Sequence, residues 1–168
     1  MSFSIEPEAL FHKQVVEELT ETSFGPERHK RTVQLFRNGV DALPNLSFVA
    51  RDQGNFIGSI RFWPVTLPNG EMIPLLGPLA VLPHLRGKGV GRALITHGIT
   101  AAKIQDHKAI LIIGDPGYYA QFGFQVELVH NLTLPGAVTP LTFMGLEIQK
   151  NALSSLIGEV TPHRNDAK

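Results

Sequence analysis

The 168-residue chain contains no cysteine. Disulfide frameworks, thiol nucleophiles and cysteine-ligated zinc are therefore excluded. It also lacks net charge: the 15 Lys and Arg balance the 15 Asp and Glu, so no nucleic-acid or polybasic membrane surface is expected. No apolar run approaches the about 20 residues needed to cross a bilayer. The opening residues, MSFSIEPEAL, lack the basic stretch and apolar run of a secretory signal. A cytoplasmic protein is the expectation. The seven histidines are scattered without metal-ligand spacing, and no metal is expected. His84, in the turn before a glycine-rich loop, is read as a solvated residue rather than a catalyst.

What is present suffices to fold. With 43% hydrophobic and 18% charged residues, the chain reads as one globular domain over residues 1–168, with a polar tail fraying from about residue 161. Apolar spacing predicts an amphipathic helix over 8–20 and a more basic helical run over 28–36. Strands are expected over 46–51, 56–66 and 71–82, joined by the turns Asp52-Gln53-Gly54-Asn55 and Pro68-Asn69-Gly70 into an antiparallel meander. A helix over 90–103 then leads to the wholly apolar run Ala109 to Ile113, a strand buried on both faces and parallel to the one before the helix. Asp115 and Pro116 start a short helix, Gly123 to Val126 begins another strand, and 141–148 forms the last.

The chain is organised around residues 79–94, LAVLPHLRGKGVGRAL. A strand turns at Pro83, passes three glycines alternating with basic residues and Val90, and enters a helix. The start of a helix offers N–H groups without intrahelical partners and the positive end of its dipole. Glycines let such a backbone approach a ligand closely. The amides of Gly87, Lys88, Gly89, Val90, Gly91 and Arg92, with charge from Lys88 and Arg92, suit a phosphate or pyrophosphate. The Walker pattern fails, because Gly89 follows Lys88; the dinucleotide fingerprint fails, because Arg92 or Leu94 stands where its last small residue belongs. Arg-x-x-Gly-x-Gly does fit, at Arg86, Gly89 and Gly91.

That loop resembles the acyl-coenzyme A loop of the GCN5-related N-acetyltransferases. A second motif, Tyr-x-x-x-Gly-Phe at Tyr119, Gly123 and Phe124, follows in the order that family shows. Within it, Gly77 to Val81 and Gly114 to Phe124 are similar to the bacterial YhbS-type branch, over roughly residues 46–127. The resemblance implies a mixed, mostly antiparallel α/β sheet of six or seven strands, splayed between the fourth and fifth and flanked by helices. A short edge strand over 4–6 goes with it. It implies acetyl-coenzyme A as cosubstrate and an amine as acceptor, joined directly in a ternary complex. The main chain of Leu79, Ala80 and Val81 would pair with the pantetheine arm, the Leu79 N–H would face the thioester oxygen, and Tyr119 would protonate the departing thiolate. Tyr118 is read as packing. Pairing of two copies through C-terminal strands is also implied.

Two departures stand out. Many members carry a glutamate as general base on the strand before the loop, where Leu75 stands here; Glu71 and Asp115 are fallback bases. The asparagine common at the end of the fifth strand is replaced by Gly114-Asp115-Pro116. Arg61 and Trp63 are candidates for lining the acceptor pocket, with Arg61 favouring a carboxylate-bearing amine. The acceptor is otherwise unspecified: a small molecule is expected, while protein N-termini or lysines, or a catalytically weak acyl-coenzyme A sensor, are the alternatives.

Overall fold

The structure, a computed structural model, describes residues 2–24, 34–136 and 142–163. The meander forms as expected. Strand β1 (Ser4–Pro7) pairs antiparallel with β2 (Phe48–Asp52), β2 with β3 (Asn55–Thr66), and β3 with β4 (Met72–Val81). Helix α3 (Val90–Ile104) crosses over to β5 (Ala109–Ile113), parallel to β4, and β7 (Phe143–Glu147) closes that side antiparallel to β5. A two-residue strand, β9 (Thr161–Pro162), adds to β3, completing a seven-stranded mixed sheet. Strands β6 (Leu132–Thr133) and β8 (Gly158–Glu159) form a separate small pair.

Alternation along the central strands divides their side chains between two cores. One face, with Ile60, Phe62, Leu76, Ile110 and Ile112, packs on Val90, Leu94, Ile95 and Ala102 of α3. The approach is close: a Cβ on Gly98 would stand 2.6 Å from the Phe62 ring. The other face, with Val65, Ile73, Leu75, Ala109 and Leu111, packs on Phe36, Val129, Leu153 and Val160. Phe36 belongs to a short helix, α2 (Gln34–Arg37). The same side of the sheet receives α1 (Lys13–Phe24), which buries Val16 and Leu19.

Several expectations change. The first helix is split: a single 3-10 turn over Leu10–His12 precedes α1, and the buried His12 ring accepts the Ala9 N–H at 3.0 Å. The helical run expected over 28–36 falls largely outside the described residues; its end is α2. Gly123 to Val126 is not a strand: Gln125 forms one bridge to Gly145, and the chain then coils through Glu127–Val129. The strand expected over 141–148 is shorter, Phe143–Glu147, and is not the last, because Gly158–Glu159 and Thr161–Pro162 follow it. Residues 161–163 are not frayed, because Thr161–Pro162 pairs with β3 and the His163 N–H reaches the Pro64 carbonyl at 3.3 Å.

One irregularity positions the site. Between the pairs Phe62↔Leu76 and Ile60↔Leu79, β4 carries one more residue than β3. The bulge falls at Gly77 (φ 129°) and Pro78, whose peptide bond is cis. Bulges bend a strand and increase its twist. From here β4 leaves β5: the parallel ladder consists of Leu75↔Leu111 and Leu76↔Ile112 alone.

Candidate active site

Above Leu76 the two parallel strands part, and the alternation of β4 decides what faces the gap. The Leu82 N–H donates to Ile57 on β3 at 3.0 Å, and Ala80 stands opposite Ser59. Residues 80 and 82 therefore turn their main-chain groups toward β3, whereas Leu79 and Val81 turn theirs away, toward the side β5 has vacated. The gap opens into a cavity of about 640 Å³ lined by Leu79, Val81, Arg86, Arg92, Tyr118 and Tyr119, with Leu85, Gly87, Gly89 and Gly91 completing its wall.

The far wall is the start of α3. Gly89 occupies the N-cap with φ 92° and no side-chain cap, and the first helical hydrogen bond runs from the Ala93 N–H to the Gly89 carbonyl at 3.0 Å. The N–H groups of residues 90–92 precede that bond. Gly87 (φ 81°) and Gly89 are required by their left-handed backbone; a Cβ at either would meet nothing within 4 Å. Arg86 and Arg92 make this end of the cavity cationic, so it suits an extended anion.

The third wall is α4 (Pro116–Tyr119). Asp115 caps it by accepting the Gly117 N–H at 2.9 Å, Pro116 sits at its first position, and Gly123 (φ 100°) turns the chain out so that Phe124 enters the core. Adjacent tyrosines on this single turn point differently. Tyr119 packs edge-on against Phe124, with ring centroids 6.1 Å apart, and lies so close over Gly114 that a Cβ there would be 2.7 Å from the ring. Burial, reinforced by Tyr118 and Asp115, holds its phenol well above the ordinary tyrosine range. The hydroxyl therefore keeps its proton at physiological pH. Tyr118 reaches across the cavity: its hydroxyl oxygen would be 3.4 Å from a Cβ on Gly91. Burial raises its pKa, and Arg92 pulls the other way.

On the opposite face of the sheet a second cavity, about 560 Å³, lies between α1, the chain near residue 41 and β3; Glu8, Lys13, Glu17, Asp41, Arg61 and Trp63 contribute to its wall. Arg61 and Trp63 thus do stand together. The reading of Arg61 as a carboxylate receptor needs correction. Arg61 is 7% exposed, and its guanidinium donates to both oxygens of Glu8 at 3.0 and 2.8 Å and to Glu17 at 2.7 Å. Burial acts most strongly and would lower its pKa, but the two carboxylates outweigh it and raise the value. The charge is neutralised within the protein. Trp63 instead donates its indole N–H to the Gly77 carbonyl at 2.6 Å.

Of the residues expected to hold a donor, Leu79, Val81, Arg86, Gly87, Gly89, Gly91 and Arg92 share one cavity, and Tyr119, expected as the general acid, lines it too. Three do not line it. Ala80 is fully buried on the β3 side, the Val90 side chain is in the core, and Lys88 is exposed at the loop's apex. Leu85 and Tyr118 do line it and were not expected there; for Tyr118, the aromatic next to Tyr119 on a one-turn helix was the available signal. Neither fallback base lines the cavity: Glu71 pairs with Lys108 at 3.0 Å, and Asp115 is the helix cap. Leu75 is buried in the core beneath the bulge, and His84 is exposed. Among the described residues no group of three or more His, Asp or Glu is arranged to hold a metal ion.

The strand parting from its parallel neighbour and the glycine-lined helix start, with the half-buried Tyr119 phenol on the wall, form one cleft that suits an elongated anionic ligand. The chain belongs to the GNAT acetyltransferases. The family model described as acetyltransferase (GNAT) domain matches residues 44–126. Over 153 residues the chain is 30% identical to the Escherichia coli (strain K12) protein named uncharacterized N-acetyltransferase YhbS, covering 89% of this chain and 90% of that one. Among solved structures, Escherichia coli YhbS in complex with CoA superposes with a TM-score of 0.80 at 28% identity, covering 96% of this chain and 89% of that one. A GNAT family acetyltransferase from Brucella melitensis in complex with acetyl-CoA gives 0.73 at 27% identity, with 96% of each chain covered.

Proposed function

We propose that this protein transfers an acetyl group from acetyl-coenzyme A to the primary amine of a small-molecule acceptor, by direct attack within a ternary complex. The observation that carries the reading is the convergence, in one cavity, of the α3 start, the outward-facing main chain of Leu79 and the half-buried Tyr119. The pyrophosphate would rest on the amides of residues 87–92, with Arg86 and Arg92 balancing its charge. The pantetheine arm would lie along Leu79 and Val81 as an added strand occupies an open edge.

The amine nitrogen attacks the thioester carbonyl carbon, and the carbonyl oxygen gains negative charge toward the Leu79 N–H. Collapse reforms the carbonyl and breaks the carbon–sulfur bond. The leaving thiolate takes the Tyr119 proton, and the tyrosine recovers one from the proton the amine gives up through water. Holding donor and amine together supplies much of the acceleration, since no covalent enzyme intermediate is needed.

The test is incubation with acetyl-coenzyme A and a panel of amines, following free thiol and acetylated product. Calorimetry with coenzyme A, ATP and NAD should detect binding of the first alone. Leu75 favours one second reading, an acyl-coenzyme A sensor without turnover, because the buried leucine denies the site a carboxylate base. Binding with no thiol release across the panel would select it.

A further inference from the structure

The bulge in β4 leaves the residues ahead of Leu79 without a regular ladder. Phe62 pairs with Leu76 and Ile60 with Leu79, so Gly77 and Pro78 have no Cα partners on β3. Pro78 has no N–H to donate. The glycine at φ 129° has no Cβ to restrict it. The segment that sets the direction of the Leu79 N–H would thus be soft, were it not for a side chain. The Trp63 indole N–H donates to the Gly77 carbonyl at 2.6 Å. The ring is itself held: the Arg37 guanidinium lies 5.8 Å from its centroid, and Arg37 Nη2 would be 2.9 Å from a Cβ on Gly77. Trp63 faces the cavity beside α1, while the carbonyl it grips belongs to the strand that borders the donor cavity.

We propose that Trp63 is a positioning residue for acyl transfer: its indole N–H replaces the rung missing at the bulge and fixes the Gly77 carbonyl, and thereby aims the Leu79 N–H at the thioester oxygen. This rests on the donor reading given above. It adds a role for a side chain that never touches the donor, and makes the wall of the α1-side cavity the support of the oxyanion contact.

Trp63 is the only tryptophan in the chain. Biosynthetic replacement of tryptophan by its benzothienyl isostere therefore removes this one N–H and keeps the ring. Calorimetry would compare coenzyme A with acetyl-coenzyme A on native and substituted protein. Coenzyme A, which has no thioester oxygen, should bind the substituted protein within about twofold of the native, because the phosphate cradle is untouched. Acetyl-coenzyme A should weaken roughly five- to tenfold, as for loss of one well-aimed hydrogen bond. Trp63→Phe should repeat the pattern and serves if the isostere does not incorporate. Equal weakening of both ligands would mean a merely structural tryptophan, and no change in either would mean that the hydrogen bond aims nothing; both overturn the proposal. A native protein that binds neither ligand would overturn the donor reading itself, a result distinct from a lost preference between the two.

Discussion

Gly91 and Tyr118 face one another across the donor cavity, so that a Cβ on the glycine would stand 3.4 Å from the tyrosine hydroxyl and 3.5 Å from Leu79 Cδ2. Helix α3 and the aromatic turn, separated in the chain by β5, narrow the same passage. Gly91 does not have a left-handed backbone, whereas Gly89 does. Gly91→Ala should therefore stabilise the fold by up to about 1 kcal/mol through helix propensity, yet weaken coenzyme A binding. Gly91→Glu should abolish binding in a folded protein, because it adds a like charge where the phosphates would lie. Gly89→Ala should cost about 1 kcal/mol from backbone strain instead. Thermal unfolding and calorimetry on the three variants check the divergence.

Tyr119→Phe retains the ring that packs on Phe124 and removes only the proton. On the proposed reading, kcat should fall by roughly 10²–10⁴-fold, with little change in coenzyme A affinity. Turnover like the parent's on the true acceptor would mean another donor. The raised pKa has its own signature. In the unfolded chain the phenol ionises near pH 10, whereas partial burial in the fold resists ionisation. Its stability contribution is thus complete below the unfolded value and lost as pH rises from there toward the folded one. Tyr119→Phe should flatten part of the alkaline fall in melting temperature.

Arg61→Leu should unfold the protein readily. Glu8, whose side chain is 10% exposed, would lose the partner that holds both its oxygens. An uncompensated buried charge typically costs about 3–5 kcal/mol, whereas replacing both partners with apolar groups can be nearly neutral. The double variant Arg61→Leu/Glu8→Leu should therefore recover much of the loss in a denaturant titration, and a fully additive double variant would contradict a coupled pair.

Glu147, at the end of β7, caps the following turn by accepting the N–H groups of Asn151, Leu153 and Ser154 at 3.2, 3.0 and 2.9 Å. Burial, the largest influence, pushes its pKa up, but these bonds together bring it below the usual carboxylate value. The contribution to stability is present above the unfolded pKa, near 4.3, and is lost as pH falls through the folded one. Glu147→Gln should be less stable near neutrality and lose that part of the acid dependence, as read by melting temperature against pH.

Local signals carried most of the fold. Turn residues at 52–55 and 68–70, the apolar run of β5 and the glycines before α3 each act over a few residues, so the meander, the crossover and the cradle could be read from the chain. Partnerships between distant residues could not. Arg61 looked like an available cation because Glu8 and Glu17 lie 53 and 44 positions away in sequence. The tail looked frayed because His163 meets Thr66 across 97 positions, at 2.8 Å. Tyr118 looked like packing because nothing in its own turn reveals that Gly91 lies opposite. The bulge escaped notice as well: Gly77-Pro78 signals a bend, but the extra residue becomes visible only once β3 is laid beside it.

With parallel pairing confined to the rungs at Leu75 and Leu76, β4 and β5 behave as the two leaves of a door fastened by one short hinge. On the proposed reading the pantetheine arm is the bolt: it lends main-chain hydrogen bonds to the stretch of β4 beyond the hinge. The cosubstrate would then be a folding partner as much as a reactant, stabilising the chain by about 2.7 kcal/mol at a hundred times its dissociation constant. The Leu79 amide would exchange hydrogen more slowly with the arm in place, and a cell short of acetyl-coenzyme A would hold this protein in its less durable form.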